Sequence, residues 1–322
     1  MGRLNEHPAI KKAIALVLSY VIVQMLISTN IISDYLQVTL ATICINIILA
    51  VSLNLITGIT GQFSLGHAGF MSIGAYMCAL IVLRMPTIPG FLLGVFAGAA
   101  AAALVGCVVG LPTLRLRGDY LAIATLGMAE IIRVIFLNLE ITNGAAGLSG
   151  IPKFVNWFWL FVFTAGTILV ISNFIRSSHG RACISVREDE IAADAMGINT
   201  TKYKVMAFTF GAFCAGIAGA LYATSFYFIE PGLFGFMKSI DVLVIVVLGG
   251  LGSISGSVLA AVLLAVISTL LQSFPEIRMV LYALLLIIIM LFRPQGLMGS
   301  KEISLNVFGK LGDLFASRKR RV

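Results

Sequence analysis

The chain has 322 residues, 59% hydrophobic and only 11% charged, with a mean hydropathy of +1.04 and a net charge of +8. A soluble domain carries about 25% charged residues, so these values exclude a water-soluble globular enzyme and indicate a polytopic membrane protein. The positive charge does not mark a nucleic-acid binder, because the basic residues sit between apolar runs and in the C-terminal stretch, where topology explains them.

Apolar runs bounded by charge, Pro or Gly predict ten transmembrane helices. They fall at about 13–32, 36–56, 66–85, 91–111, 120–139, 155–175, 204–226, 239–254, 257–273 and 277–292. The first follows Lys11-Lys12 without a small-residue cleavage site, so it reads as a retained span and not a signal peptide. Between the second and third runs lies Gly58-Ile-Thr-Gly61-Gln-Phe-Ser64-Leu-Gly66-His67-Ala-Gly69-Phe70, glycine-rich and uncharged. Backbone of this kind is tolerated at membrane depth only where protein buries it or where it lines a wet cavity. It reads as a broken helix beside a pathway, with Gln62, Ser64 and His67 as polar groups between Gly61 and Gly66, or as a tight turn permitting close packing.

The fifth run carries Glu130 and Arg133, three residues apart and therefore on one helical face near mid-membrane. An intrahelical structural pair is the favoured reading and substrate contact the alternative. Asp119 and Asp241 fall near span ends, where water is close. Trp157, Trp159 and Tyr227 suit an aromatic belt, and Lys153 and Lys238 fall in outer segments.

Between the sixth and seventh runs the pattern changes. Ser-Val-Arg-Glu-Asp-Glu-Ile-Ala-Ala-Asp-Ala-Met-Gly, residues 185–197, is charged and amphipathic. Ser185 and Glu188 have the spacing of a capping box, and Gly197 suits the left-handed position after a helix end. On one continuous helix Arg187, Glu190 and Asp194 share a face, with Ala192, Ala195 and Met196 on another. A short helix displayed between two spans reads as a docking element. Further on, Gly249-Gly250-Leu-Gly252-Ser253-Ile-Ser255-Gly256 repeats the Gly-x-x-Gly-x-x-Ser spacing of residues 58–64, as a tight turn or as an interruption of one longer helix.

With the N-terminus inside, 17 of the 22 Lys and Arg residues lie in cytoplasmic segments, seven of them from Arg293 onward. This asymmetry favours ten spans with both termini cytoplasmic, and the terminal basic run can also meet anionic lipid. No phosphate loop occurs, no His or Cys pair has metal-ligand spacing, and the five cysteines are scattered. The chain therefore offers no catalytic, metal or cofactor site of its own.

Several ordered segments resemble the LivM-type permease subunits of ABC importers for branched-chain amino acids. They are Leu53 to Phe70, Gly118 to Leu126, Thr142 to Pro152, Glu230-Pro231 with Leu248 to Ser253, and Arg293 to Gly299. The resemblance covers roughly residues 40–300. It implies an all-α, type II-like bundle of about ten helices, forming one transmembrane domain over 1–322 with a basic cytoplasmic tail at 293–322. It also implies a cytoplasmic coupling helix at about 185–198, similar to the Glu-Ala-Ala loop of ABC permeases. Glu190, Ala192, Ala193 and Gly197 carry over, with Arg187 and Asp194 beside them, although Ile191 separates the glutamate from the alanines. The implied partners are a homologous LivH-type permease, two ATPases of the LivG and LivF type, a solute-binding protein and membrane lipid. The implied location is the cytoplasmic membrane of a bacterium or archaeon. Permeases for urea and short-chain amides share these segments, and a passive channel or secondary carrier would also explain a glycine-rich bundle. ATP dependence separates the last two from an importer.

Overall fold

Inside hydrocarbon a backbone can satisfy its own polar groups only by forming a helix or a closed barrel, and these runs form helices. The computed structural model describes residues 18, 20–29, 33–116, 118–270, 280, 284, 287–288, 291–292 and 296–299. Nearly half of the expected first span, most of the tenth, and the tail from residue 300 lie outside them.

Residues 20–28 are helical. Then come α1 (Asp34–Asn54), extended by one π-helical turn Leu55–Ile59, α2 (His67–Arg84), α3 (Ile88–Thr113), α4 (Asp119–Asn138) and α5 (Trp157–Arg176). Two short helices follow, α6 (Ser178–Glu188) and α7 (Glu190–Ala195), then α8 (Thr200–Phe226), α9 (Phe236–Gly249) and α10 (Ile254–Leu270). Six of these are long and apolar enough to cross a membrane: α1 with its π turn, α2, α3, α4, α5 and α8. The end of the bundle that carries α6 and α7 is called the lower end below.

The core is α1, α2 and α8. Their most apolar stretches are 72%, 72% and 67% buried, against 39%, 28% and 22% in α3, α4 and α5, which form the perimeter. Lipid tails are as apolar as leucine, so helices associate through close van der Waals contact of small residues. At one crossing Gly74, Gly98 and Gly216 meet; a Cβ on Gly216 would lie 2.8 Å from Ala99 Cα. At the upper end, residues 148–149 and 228–229 pair as two antiparallel two-residue strands, Leu148 opposite Ile229. This pairing ties the α4–α5 loop to the α8–α9 loop without altering the all-α class.

One open alternative is resolved and one expectation is corrected. The glycine run 249–256 is a tight turn: Gly250 and Gly252 have φ of +112° and +91°, and the chain leaves α9 and enters α10 separately. α10 runs up beside α1, with Ser257 bonded to Asn54 at 2.9 Å below and Thr269 bonded to Thr39 at 3.4 Å above. The expected eighth span is not a full one. α9 has 14 residues, about 21 Å against a hydrocarbon core of about 30 Å. Its Lys238 Nζ donates to Asn46 Oδ1 at 3.3 Å. Asn46 is the thirteenth residue of the 26-residue unit 34–59, so α9 starts at mid-depth and reaches only the lower end. There the Leu297 N–H donates to the Leu248 carbonyl at 2.9 Å, fixing the turn 296–299 under α9.

Candidate coupling and pathway site

The single coupling helix expected at about 185–198 is two helices. α6 begins at Ser178, capped by Ser177 Oγ, which accepts from the Gly180 N–H at 3.2 Å. Ser185 is therefore a helix-interior residue whose hydroxyl donates to the Ala182 carbonyl at 2.8 Å, and no capping box forms with Glu188. The chain breaks at Asp189, with φ −155° and ψ 109°, and the Asp189 carboxylate caps α7 by accepting from the Ile191 and Ala192 N–H groups at 2.9 and 3.0 Å. At the far end Gly197 takes φ +82°; its N–H donates to the Asp194 carbonyl (2.9 Å) and the Ile198 N–H to the Ala193 carbonyl (3.0 Å). That is a Schellman motif, in which glycine occupies the left-handed position without a Cβ penalty.

The break redistributes the side chains. Ala193 is buried against the bundle, while Ile191 and Met196 are 73% and 83% exposed, with Ala192, Asp194 and Ala195 also exposed. Glu190 faces inward, pairing with Lys204 of α8 at 2.7 Å. Arg187 likewise does not join an outward charged face with Glu190 and Asp194. Its Nη1 donates to the Gly58 carbonyl at 2.8 Å, and its Nε donates to Glu188 Oε1 at 3.1 Å. On the inner face of α6, Cys183 is buried and its thiol is pushed up to about 11 by burial, which leaves it unreactive near neutral pH.

Arg187 thus meets the broken segment predicted at 58–66. The backbone is π-helical to Ile59 and non-helical from Thr60 to Gly66. It is not a water-exposed loop: Thr60, Gln62, Ser64, Gly66 and His67 are buried, and Gly61 packs against the Arg187 stem. Higher up, Gly66 abuts the Thr125 carbonyl of α4, the Leu65 N–H donates to Thr125 Oγ1 at 3.1 Å, and His67 Nε2 lies 2.8 Å from Ser52 Oγ. Gln62 is buried with neither carboxamide atom hydrogen-bonded, and His67 Nδ1 also lacks a partner. Buried polar groups are normally satisfied, so this stretch is the part of the core suited to hold water or solute.

The two glycine repeats touch. A Cβ on Gly58 would meet the Gly252 backbone, and Gly252 lies beside Arg187. Asn54 fastens the joint: its Oδ1 accepts from the Gly252 N–H at 2.8 Å, and its Nδ2 donates to the Ser253 carbonyl and Ser257 Oγ, both at 2.9 Å. Arg187 and Asn54 therefore link α6, the end of α1 and the α9–α10 turn. Sequence reading saw the repeated spacing but had nothing to bring the copies together.

Glu130 and Arg133 form the expected ion pair, Nε to Oε2 2.6 Å, with side chains 35% and 31% exposed. Arg133 also lies close to Gly235, the residue that caps α9; its Cδ is 3.9 Å from a Cβ built there. Lys238 and Asp241 were missed. Charge counting placed them outside or near a span end, whereas α9 carries both at membrane depth. Among the described residues no three His, Cys, Asp or Glu side chains gather to hold a metal.

The chain is 39% identical over 289 residues to the high-affinity branched-chain amino acid transport system permease proteins LivM of Salmonella typhimurium and Escherichia coli. Those alignments cover 79% of this chain and 68% of each relative. It is 28% identical over 289 residues to the LivH permease of Salmonella typhimurium, covering 80% of this chain and 92% of that one. No solved structure matches. The family profile described as branched-chain amino acid transport system, permease component, matches residues 35–290, and the chain belongs to that family.

Proposed function

We propose that this chain is a membrane-spanning subunit of an ABC importer that carries branched-chain amino acids into the cell. Its relatives are transport permease proteins, and on this reading ATP hydrolysis falls to other chains of the assembly. On this reading the lower end faces the cytoplasm, and α7 docks in a groove on one of two ATPases. A homologous permease completes the pore and a solute-binding protein delivers the substrate. One observation carries the proposal: a doubly capped helix presents Ile191 and Met196 to solvent while Arg187, three residues before its start, holds the Gly58 carbonyl of the broken span. An exposed apolar face on a rigid cap is an interaction surface, and a side chain wired to a core helix converts its movement into movement of the core.

ATP binding would close the ATPases and displace α7 with their surfaces. α6 follows as a rigid body, and the Arg187–Gly58–Asn54–Gly252 joint carries the displacement into α1 and the α9–α10 hairpin. Alternation of access then needs no long-range path beyond these contacts. The test is uptake of labelled leucine by the assembled complex in proteoliposomes, with binding protein outside and ATP within. Uptake should require ATP, and single cysteines at Asp194 and Met196 should crosslink to the ATPase. Uptake of leucine without ATP would favour a secondary carrier, and ATP-driven uptake of urea or acetamide instead of leucine would move the chain to a neighbouring branch.

A further inference from the structure

The strongest unassigned feature is a set of ionisable side chains at mid-membrane. Lys238 and Asp241 lie three residues apart on α9 and so on one face, with Asp241 within Coulombic reach of the ammonium. Lys238 reaches Asn46 halfway along α1. Ser239 Oγ accepts the Ala68 N–H at 3.3 Å, which sets the first turn of α9 against the first turn of α2. α2 in turn begins with His67, fully buried with Nδ1 lacking a partner. Across from them Arg133, paired with Glu130, stands beside Gly235. Two helices thus begin within the bilayer, pointing their partly positive N-terminal ends into a region holding two cations and two carboxylates.

Ions at this depth are costly and face water or protein, not lipid. Here Asp241 is exposed and Lys238 half-buried, and Glu130 and Arg133 are about one third exposed, so none is sealed in the core. Ion pairing alone would be satisfied by burial. An accessible pair of opposite charges beside two helix N-termini matches a zwitterion, whose carboxylate and ammonium need a cation and an anion a few ångströms apart.

We infer that Lys238 and Asp241, at the mid-membrane start of α9, form a transient binding site for the backbone of an amino acid in transit. Lys238 takes the carboxylate through the ammonium hydrogens it does not give to Asn46 Oδ1, and Asp241 takes the ammonium. The side chain of the solute projects onto the apolar flanks of α1 and α2. This rests on the transport of amino acids proposed above.

The test uses the assembled complex in nanodiscs, carrying Cys107→Ser, because Cys107 is the described cysteine that is not buried. Met237→Cys, an exposed position four residues before Asp241 on the same face, reports access by a water-soluble thiosulfonate. Labelling should proceed and leucine should slow it. Leucinamide, which lacks the carboxylate, should need a concentration roughly tenfold to hundredfold higher, the worth of one charge-assisted hydrogen bond. Lys238→Gln should abolish that difference while sparing the labelling itself. Absent labelling in every nucleotide state, labelling that leucine does not slow, or equal protection by leucinamide overturns the site. ATP-driven leucine uptake in the same preparation separates the two ideas. If uptake occurs without protection, only this inference falls. If uptake fails, the transport reading falls, and protection by acetamide would then remove the zwitterion site too.

Discussion

At the scale of single residues the lower end depends on backbone conformations that the sequence restricts. Gly197 sits at φ +82° in open space, so a side chain there meets no neighbour and is penalised by conformation alone. Gly197→Val should cost about 1–2 kcal/mol through that left-handed strain, and Gly197→Asn much less. The readout is retention of ATPase when the complex is purified through this chain, which valine should lower and asparagine preserve. Arg187 acts by reach instead. Arg187→Ala frees the Gly58 carbonyl and should leave ATP hydrolysis running while solute moved per ATP falls. Lysine, a point charge, cannot serve Gly58 and Glu188 together and should rescue only in part. Unchanged stoichiometry in the alanine variant would remove Arg187 from the coupling route. Gly197 was legible because its conformational demand is local. The capping box was misread because Ser185 has the right spacing, yet a helix already runs from Ser178, and a serine inside a helix bonds back to its own turn.

At the scale of elements, pairs and close contacts decide. Glu130 and Arg133 bridge one turn of α4 at mid-depth, so removing one charge leaves the other partly buried and unpaired at membrane depth. Glu130→Gln and Arg133→Gln should each reduce folded yield, and the double variant should recover part of it. Transport per folded complex then assigns the role: normal turnover in the double variant means a structural pair, lost turnover a part in the pathway. Gly66 makes a different demand. A Cβ there would lie 2.5 Å from the Thr125 carbonyl, a contact that backbone cannot relieve, so Gly66→Leu should push α2 from α4 and abolish transport. The same volume added at Ile288, an exposed apolar position, should pass with little effect. Apolar runs and glycine punctuation gave the long helices and the broken segment. The half-length α9 was not legible, since a hydropathy window averages over Lys238 and Asp241 and cannot show that Asn46 lies opposite.

At the scale of the whole molecule, the fold is a small-residue core of α1, α2 and α8 with three irregular or short pieces gathered at one end. The α9–α10 turn, the 58–66 segment and α6 converge at one end, and the short strand pairing closes the other. On the proposed reading charge assigns the cytoplasmic end: the lower end carries Arg115, Arg176, Arg181, Arg187, Lys202 and Lys204, while the upper end carries Arg84 and Lys153. Single cysteines in the Cys107→Ser background test this directly. Asp194→Cys, exposed on α7, should react with an impermeant maleimide only in inside-out vesicles or permeabilised cells. Lys153→Cys, exposed between α4 and α5, should react in intact cells. The opposite pattern would place α7 outside, away from any ATP, and would end the importer mechanism whatever the sequence similarity. Labelling of Asp194→Cys that is lost when the ATPases bind, and regained when they are stripped, would put the docking surface on α7 itself.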